Sequence, residues 1–154
     1  MTFEKTPGGT YGQTVPSFAV PLMKMFSPVM IWQARRGGHV AGLRLVVLTT
    51  TGARSGRRRQ TVLGALPDGE RAWLIIASAG GSAANPAWYH NLAAHPDQVE
   101  IQVAGQTQAV RASQLSGAER DAAWHKIVAA GPRYADYATK TDRLIPVIRL
   151  STAA

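Results

Sequence analysis

Residues Leu43–Leu66 read LRLVVLTTTGARSGRRRQTVLGAL, and this stretch decides the fold. Its first part, Leu43–Thr50, is apolar and β-branched on both faces, the pattern of a strand covered from two sides. Gly52 and Gly56 frame a turn, and Arg59–Leu66 returns as a second strand. PDGE (67–70) then turns the chain into a third strand, Arg71–Ser78. Downstream, Gln98–Val103 alternates: Val99, Ile101 and Val103 oppose Gln98, Glu100 and Gln102. Ala104–Gly105 turns into a strand at Gln106–Ser113, and Leu144–Leu150 is the last. Strands joined mostly by hairpins, with helices grafted between them, predict the α+β class, as an antiparallel barrel. No strand–GxGxxG–helix unit occurs, which argues against a doubly wound dinucleotide-binding sheet.

The helices announce themselves by caps and spacing. Asn85 is expected as an N-cap with Pro86 at the first helical position, and Pro96 as the end of that helix. Ser116 and Glu119 form an S-x-x-E capping box opening a helix to about Ala130. Residues 131–143 are expected as a short helical or irregular piece. Over Ser17–Arg36, Phe18, Leu22, Met25, Phe26, Val29, Met30 and Trp32 recur at helical spacing, broken by Pro21 and Pro28. Residues 1–16, rich in Gly, Thr and Pro, are expected to be a flexible arm ahead of a single domain over 17–154.

Composition removes several classes of chemistry. The chain has no cysteine, so disulfides and thiolate metal sites are excluded. Its four histidines are scattered, with no acidic partner at ligand spacing, so no protein-bound catalytic metal is expected. The net charge of +8 is unevenly placed. Residues 1–67 hold nine Lys/Arg against Glu4 alone, whereas residues 68–154 hold eight of each sign. An excess confined to one half implies an anionic partner. Thirteen of the seventeen basic residues are arginine, which suits bidentate phosphate or carboxylate binding. The N-terminus lacks a basic segment followed by an apolar core, and Met25–Ala34, ten uncharged residues, is too short to span a bilayer. A cytoplasmic protein is expected, with a peripheral membrane contact through the N-terminal helix as a further expectation.

Three motifs carry the chemistry. In TTTGARSGRRRQT (49–61) the glycines free backbone N–H groups to form an anion nest, with hydroxyls from Thr50, Thr51 and Ser55. Arg54 and Arg59 would flank an anion there, and a solvated basic turn is the alternative. In ASAGGSAANPAWYHNLAAHPD (77–97), Ser78 ends a strand and Gly80–Gly81 could let a flat ligand approach the backbone. Trp88 and Tyr89 follow in the first turn of the next helix, and on the residues alone Trp88 reads as part of that helix's buried stripe before it reads as a pocket wall. In YADYATKTDRLIP (134–146), Tyr134 and Tyr137 lie one helical turn apart, as core or as catalytic groups.

Together these segments resemble the deazaflavin (coenzyme F420)-dependent nitroreductase and quinone reductase family, over about Leu45–Pro146. The signature is the ordered set TTGARSG…R, ASAGGSAANPAWYHNL…HPD and Y-x-x-Y…TDR-x-IP. The resemblance implies a split β-barrel of the FMN-binding type, usually homodimeric, that holds the deazaflavin in a groove. It implies that Arg54, Ser55 and Arg59 hold the coenzyme's phosphodiester and glutamate tail. Ser78, Ala79, Gly80 and Gly81 would pass along the ring, with Asn85, Pro86 and Trp88 shaping the pocket. Ser78, Tyr134 and Tyr137 would serve the acceptor side as catalytic groups. The implied activity is hydride transfer from reduced coenzyme F420 to quinones, nitroaromatics or enones. The alternatives are a split barrel carrying FMN, and a basic module for nucleic acid or membrane surfaces. RRR lacks interleaved aromatics, which speaks against nucleic acid.

Overall fold

The computed structural model describes Phe3, residues 5–10, Gly12 and residues 27–40, 42–78, 81 and 84–152. Seven strands form one antiparallel sheet: β1 (His39–Val40), β2 (Leu43–Thr51), β3 (Arg58–Pro67), β4 (Ala72–Ile76), β5 (Val99–Val103), β6 (Gln106–Gln114) and β7 (Val147–Thr152). The order is β1-β2-β3-β4-β7-β6-β5, and a further β2–β5 pairing closes the ring from β2 round to β5. The closing register is Val47↔Gln102, Leu48↔Ile101 and Thr49↔Glu100. Closure leaves the barrel strands without a free edge, and among the described residues the two-residue β1 alone stands outside the ring. The expected strands are present within about two residues at most ends, a difference that fraying alone produces. The last strand is the exception, running from Val147 to Thr152.

The two-sided apolarity of β2 has a direct cause. Val46 and Leu48 point into the barrel, where they meet Ile75, Ile101, Ile148 and Leu150. Leu45 and Val47 face outward and are covered by Ala34 and Ile31 of α1 (Ser27–Arg35). A second outer cluster packs Leu43, Leu74, Ile76 and Val147 under Ala123 and Ile127 of α3 (Gly117–Ala130) and Tyr134 of α4 (Arg133–Thr139). Helix α2 (Ala87–Ala94) instead sends Tyr89 and Leu92 into the barrel cluster. The expected Ala104–Gly105 turn is present with both residues at positive φ, 49° and 85°, the twist that a two-residue hairpin needs.

Two expected caps are not formed. Pro86, not Asn85, is the N-cap of α2, and no side chain caps the helix. Ser116 is the N-cap of α3 but makes no side-chain cap bond, and Glu119 accepts instead from Arg149 Nη1 at 3.1 Å. At Asn85 a distant arginine, Arg143, takes the oxygen that a local cap would have used, and Arg149 engages the carboxylate of the expected capping box.

The N-terminal helix expected over Ser17–Arg36 lies outside the described residues up to Phe26; its remainder is α1. The described part of the 1–16 arm makes contacts with the barrel. Thr10 bonds the Asp142 carboxylate, and the Phe3 ring is tilted against Tyr89 at 5.4 Å. No helix among the described residues is long and apolar enough to cross a membrane.

Candidate active site

A cleft of about 930 Å³ opens between the β2–β3 turn and α2. Its size is that of an organic-ligand site. The hairpin register decides which arginines reach it. Thr50 pairs with Arg59 and Thr51 with Arg58, so neighbouring residues of β3 face opposite ways. Arg59 and Thr61 line the cleft with Thr50, Arg54 and Ser55, and Gln60 between them borders it too. Arg58 turns to the other face, where Nη1 donates to Thr51 Oγ1 and to the Gln98 carbonyl, both at 2.8 Å. Its Nη2 lies 3.7 Å from Glu100. The run RRR is therefore no continuous basic stripe.

The turn itself is closed tightly. Gly52 N–H donates to the Arg57 carbonyl at 2.8 Å, Gly56 N–H to the Gly52 carbonyl at 3.0 Å, and Arg57 N–H to Ser55 Oγ at 3.2 Å. These amides serve the turn, so the expected nest of free N–H groups is smaller than the glycine spacing promised. Asn91 of α2 ties the turn to the helix. Its Oδ1 accepts from Ala53 N–H at 2.9 Å, and its Nδ2 donates to Thr50 Oγ1 at 3.1 Å. Trp88 walls the same cleft while packing partly on the barrel core.

Lys5 and His90 complete the lining at one end. Partial burial, then the charges of Lys5 and Arg54, hold the His90 imidazole below its ordinary value. No carboxylate stands among the described lining residues of this cleft. Cations gathered without a counter-charge repel one another until an anion arrives. That donor set, with an aromatic wall and this volume, fits an elongated polyanion carrying a flat ring.

Beside the cleft, Arg143 organises the loop that follows β4. It is 4% exposed, and it donates to the carbonyls of Ala77 at 2.8 Å and Ser78 at 2.7 Å and to Asn85 Oδ1 at 2.6 Å. Asn85 Nδ2 donates in turn to the Thr6 carbonyl at 2.9 Å. Gly81, at φ +83°, sits so close to α4 that an added Cβ would be 2.9 Å from the Tyr137 carbonyl. Only glycine fits that conformation and that approach.

Of the residues expected in the site, Arg54, Ser55, Arg59 and Trp88 line the larger cleft. Asn85 lines a smaller neighbouring cleft, and Ser78, Gly81 and Pro86 stand on the loop and helix start beside it. Ala79 and Gly80 lie outside the described residues. Tyr134 and Tyr137 line neither cleft; their rings meet edge-on at 5.7 Å in the cluster under α3 and α4. Burial, then Tyr137, raises the Tyr134 phenol above its ordinary value, with Arg133 opposing. Sequence reasoning gave no site role to Lys5, His90, Asn91, Thr61 or Arg143. Arg143 and Asn91 stand inside the quoted motifs TDR-x-IP and WYHNL; Lys5 carried no signal.

Comparison with known proteins places the chain in a family. A family model, the F420H(2)-dependent quinone reductase, matches residues 26–152. An F420H(2)-dependent quinone reductase of Mycobacterium tuberculosis is 40% identical over 109 residues, 69% of this chain and 72% of the relative. A solved F420-H2 dependent reductase, FDR-A, superposes with a TM-score of 0.63 at 40% identity, covering 70% of this chain and 93% of that one. A domain-swapped dimer, 34% identical, superposes with a TM-score of 0.65 over 88% of this chain and 100% of its own. The chain is a member of the F420H(2)-dependent quinone reductase family.

Proposed function

We propose that this protein is an oxidoreductase that takes a hydride from reduced coenzyme F420 and delivers it to a quinone, with nitroaromatics and enones as further acceptors. The observation that carries the reading is the cleft: about 930 Å³, lined by Lys5, Arg54 and Arg59, and without a carboxylate among its described lining residues. A reduced deazaflavin supplies the hydride when bound, so the chain needs no nucleophile or metal of its own. Among the described residues no group of His, Asp or Glu is placed to hold a metal ion.

The residues then divide the work. Arg54 and Arg59 hold the coenzyme's phosphodiester and carboxylates, with Ser55 as a hydroxyl donor. Asn91 keeps the turn that carries Arg54 against α2. Trp88 offers a flat apolar wall to the ring. Arg143 holds the Ser78 carbonyl, and the Ser78 hydroxyl would serve as a donor to charge developing on the acceptor oxygen. Tyr137 borders the same loop through Gly81, and Tyr134 supports its ring from below.

The reading extends to a homodimer, on the strength of the domain-swapped relative. It also extends to a cytoplasmic protein that touches anionic membrane surfaces. Val29 and Trp32 of α1 are 51% and 55% exposed, and the Arg36 guanidinium lies 4.5 Å over the Trp32 ring. The test is a turnover screen with reduced coenzyme F420 and menaquinone-like, nitro and enone acceptors, with FMN as a control donor. Coenzyme-dependent turnover of the quinone is expected. Binding without turnover of any acceptor would overturn the acceptor class, and absence of binding would overturn the cofactor.

A further inference from the structure

Lys5 belongs to a segment whose role in the site has not been fixed by the motifs. Thr6, next to it, is held at three points. Its N–H donates to Tyr89 Oη at 2.8 Å, its carbonyl accepts from Asn85 Nδ2 at 2.9 Å, and its hydroxyl accepts from Gln114 Nε2 at 2.9 Å. On the other side of Lys5 the Phe3 ring rests on Tyr89. The main chain at Lys5 is thus fixed from both directions, so the fold sets where its ammonium can reach.

That place is a junction. The larger cleft is neighboured by a second, of about 430 Å³, lined by Thr6, Pro7, Gly8, Ala84 and Asn85. Lys5 and His90 line both. The His90 imidazole meets the Tyr89 ring edge-on at 5.7 Å and 69°. The charged groups acting on it among the described residues are Lys5 from the N-terminal segment and Arg54 from the β2–β3 turn, with Arg59 elsewhere in the same cleft. All are cationic. Neither cleft has a carboxylate among its described lining residues. Helix α2 itself brings no acidic residue.

We propose that Lys5 and His90, with Arg54 beside them, form a second anion subsite at the junction of the two clefts, which takes a carboxylate of the coenzyme's tail and binds a proton at His90 as it fills. The subsite rests on the reading of the larger cleft as the coenzyme F420 site. The proton comes from solvent. In the free protein partial burial, then the neighbouring cations, disfavour the charged imidazole and hold its titration below the ordinary value. A carboxylate placed against the imidazole offsets the neighbouring cations and favours its charged form, so the imidazole titrates higher in the complex. Between the free and bound values binding takes up a proton; affinity therefore rises as the pH falls through the bound value and levels off below the free one.

The experiment is an NMR titration of the His90 ring in the full chain, assigned with His90→Gln. It is run free, with oxidised coenzyme F420, and with the ring–ribityl fragment that lacks phosphate and glutamates. The midpoint is expected to rise by about one pH unit with the coenzyme and to stay put with the fragment. Lys5→Met should weaken the coenzyme about tenfold and leave the fragment unchanged, which also reports an intact ring pocket. His90→Gln should flatten the pH dependence of coenzyme affinity between the free and bound His90 midpoints. Coenzyme binding with no movement of the His90 midpoint, or with Lys5→Met at full affinity, overturns the subsite alone. Failure of the coenzyme to bind the unaltered protein overturns the reading of the cleft, and the subsite with it.

Discussion

The two ends of β3 handle charge in opposite ways. Just beyond its C-terminal end, Asp68 accepts from Arg149 Nε at 2.7 Å and from Lys126 Nζ at 3.3 Å, and Arg149 also reaches Glu119 at 3.1 Å. Every charge in that group has a partner of opposite sign. At its N-terminal end Arg59 joins Arg54, Lys5 and His90 around a cleft without a carboxylate among its described lining residues. Arginines matched by a carboxylate, as Arg149 and Arg58 are, fasten elements of the fold; Arg54 and Arg59, in a cleft with no carboxylate among its described lining residues, mark where an anion from outside belongs. Arg58 and Arg59 are sequence neighbours with different duties, because strand alternation sends one to Glu100 and the other to the cleft.

Substitutions can break either end separately. The largest effect is expected away from the cleft, at Gly42. Its φ is +84°, and an added Cβ would stand 2.0 Å from the Ala130 carbonyl oxygen at the end of α3. Gly42→Ala should cost about 3 kcal/mol in chemical denaturation, combining left-handed strain with a backbone clash. Coenzyme affinity of the folded fraction should stay within about twofold, since a site at the other end does not depend on this turn. A loss of affinity as large as the loss of stability would join the two ends and dissolve the contrast.

At the cleft end, Asn91→Ala removes both bonds that tie the turn to α2. Coenzyme affinity, read by fluorescence titration, should fall by about 1–2 kcal/mol, with turnover at saturating coenzyme little changed. Equal affinity would show that the turn holds its shape unaided. The smallest effect belongs to the matched group. Burial opposes ionisation of Asp68, but the bonds and charges of Arg149 and then Lys126 outweigh it and hold the carboxyl below its ordinary value. Its pairing therefore stabilises fully above the unfolded value of 3.8 and is lost as the pH falls through the lower folded value. Asp68→Asn should cost about 1 kcal/mol at pH 7, and the difference from the unaltered protein should shrink as the pH falls through the folded value. A cost that persists in acid would assign the residue to packing instead of charge.

The sequence displayed these two ends unequally. The hairpin β2–β3 was legible because apolar runs, glycines and alternation are local signals. The β2–β5 pairing that closes the barrel was not, since it joins Val47 to Gln102 across the chain and exists only once the other strands are in place. The caps failed for a related reason: Asn85 and Glu119 have cap-like local contexts, but Arg143 and Arg149 arrive from far along the chain and take their oxygens. Within the site, Arg54, Ser55 and Arg59 could be named from a turn and a strand beside it. Lys5 and His90 could not, because only the anchoring of Thr6 to Tyr89, Asn85 and Gln114 brings the N-terminal segment to the cleft.

The most direct test of the unmatched cations is the affinity of oxidised coenzyme F420 for Arg54→Ala, Arg59→Ala and the double variant, measured by fluorescence titration beside the unaltered protein. Each single change should weaken binding by about 1–3 kcal/mol, the range of charge-assisted hydrogen bonds, and the double variant should weaken it further. Turnover at saturating coenzyme should change little. Unaltered affinity in all three proteins would contradict the assignment and leave the turn Gly52–Arg59 a solvated hairpin end.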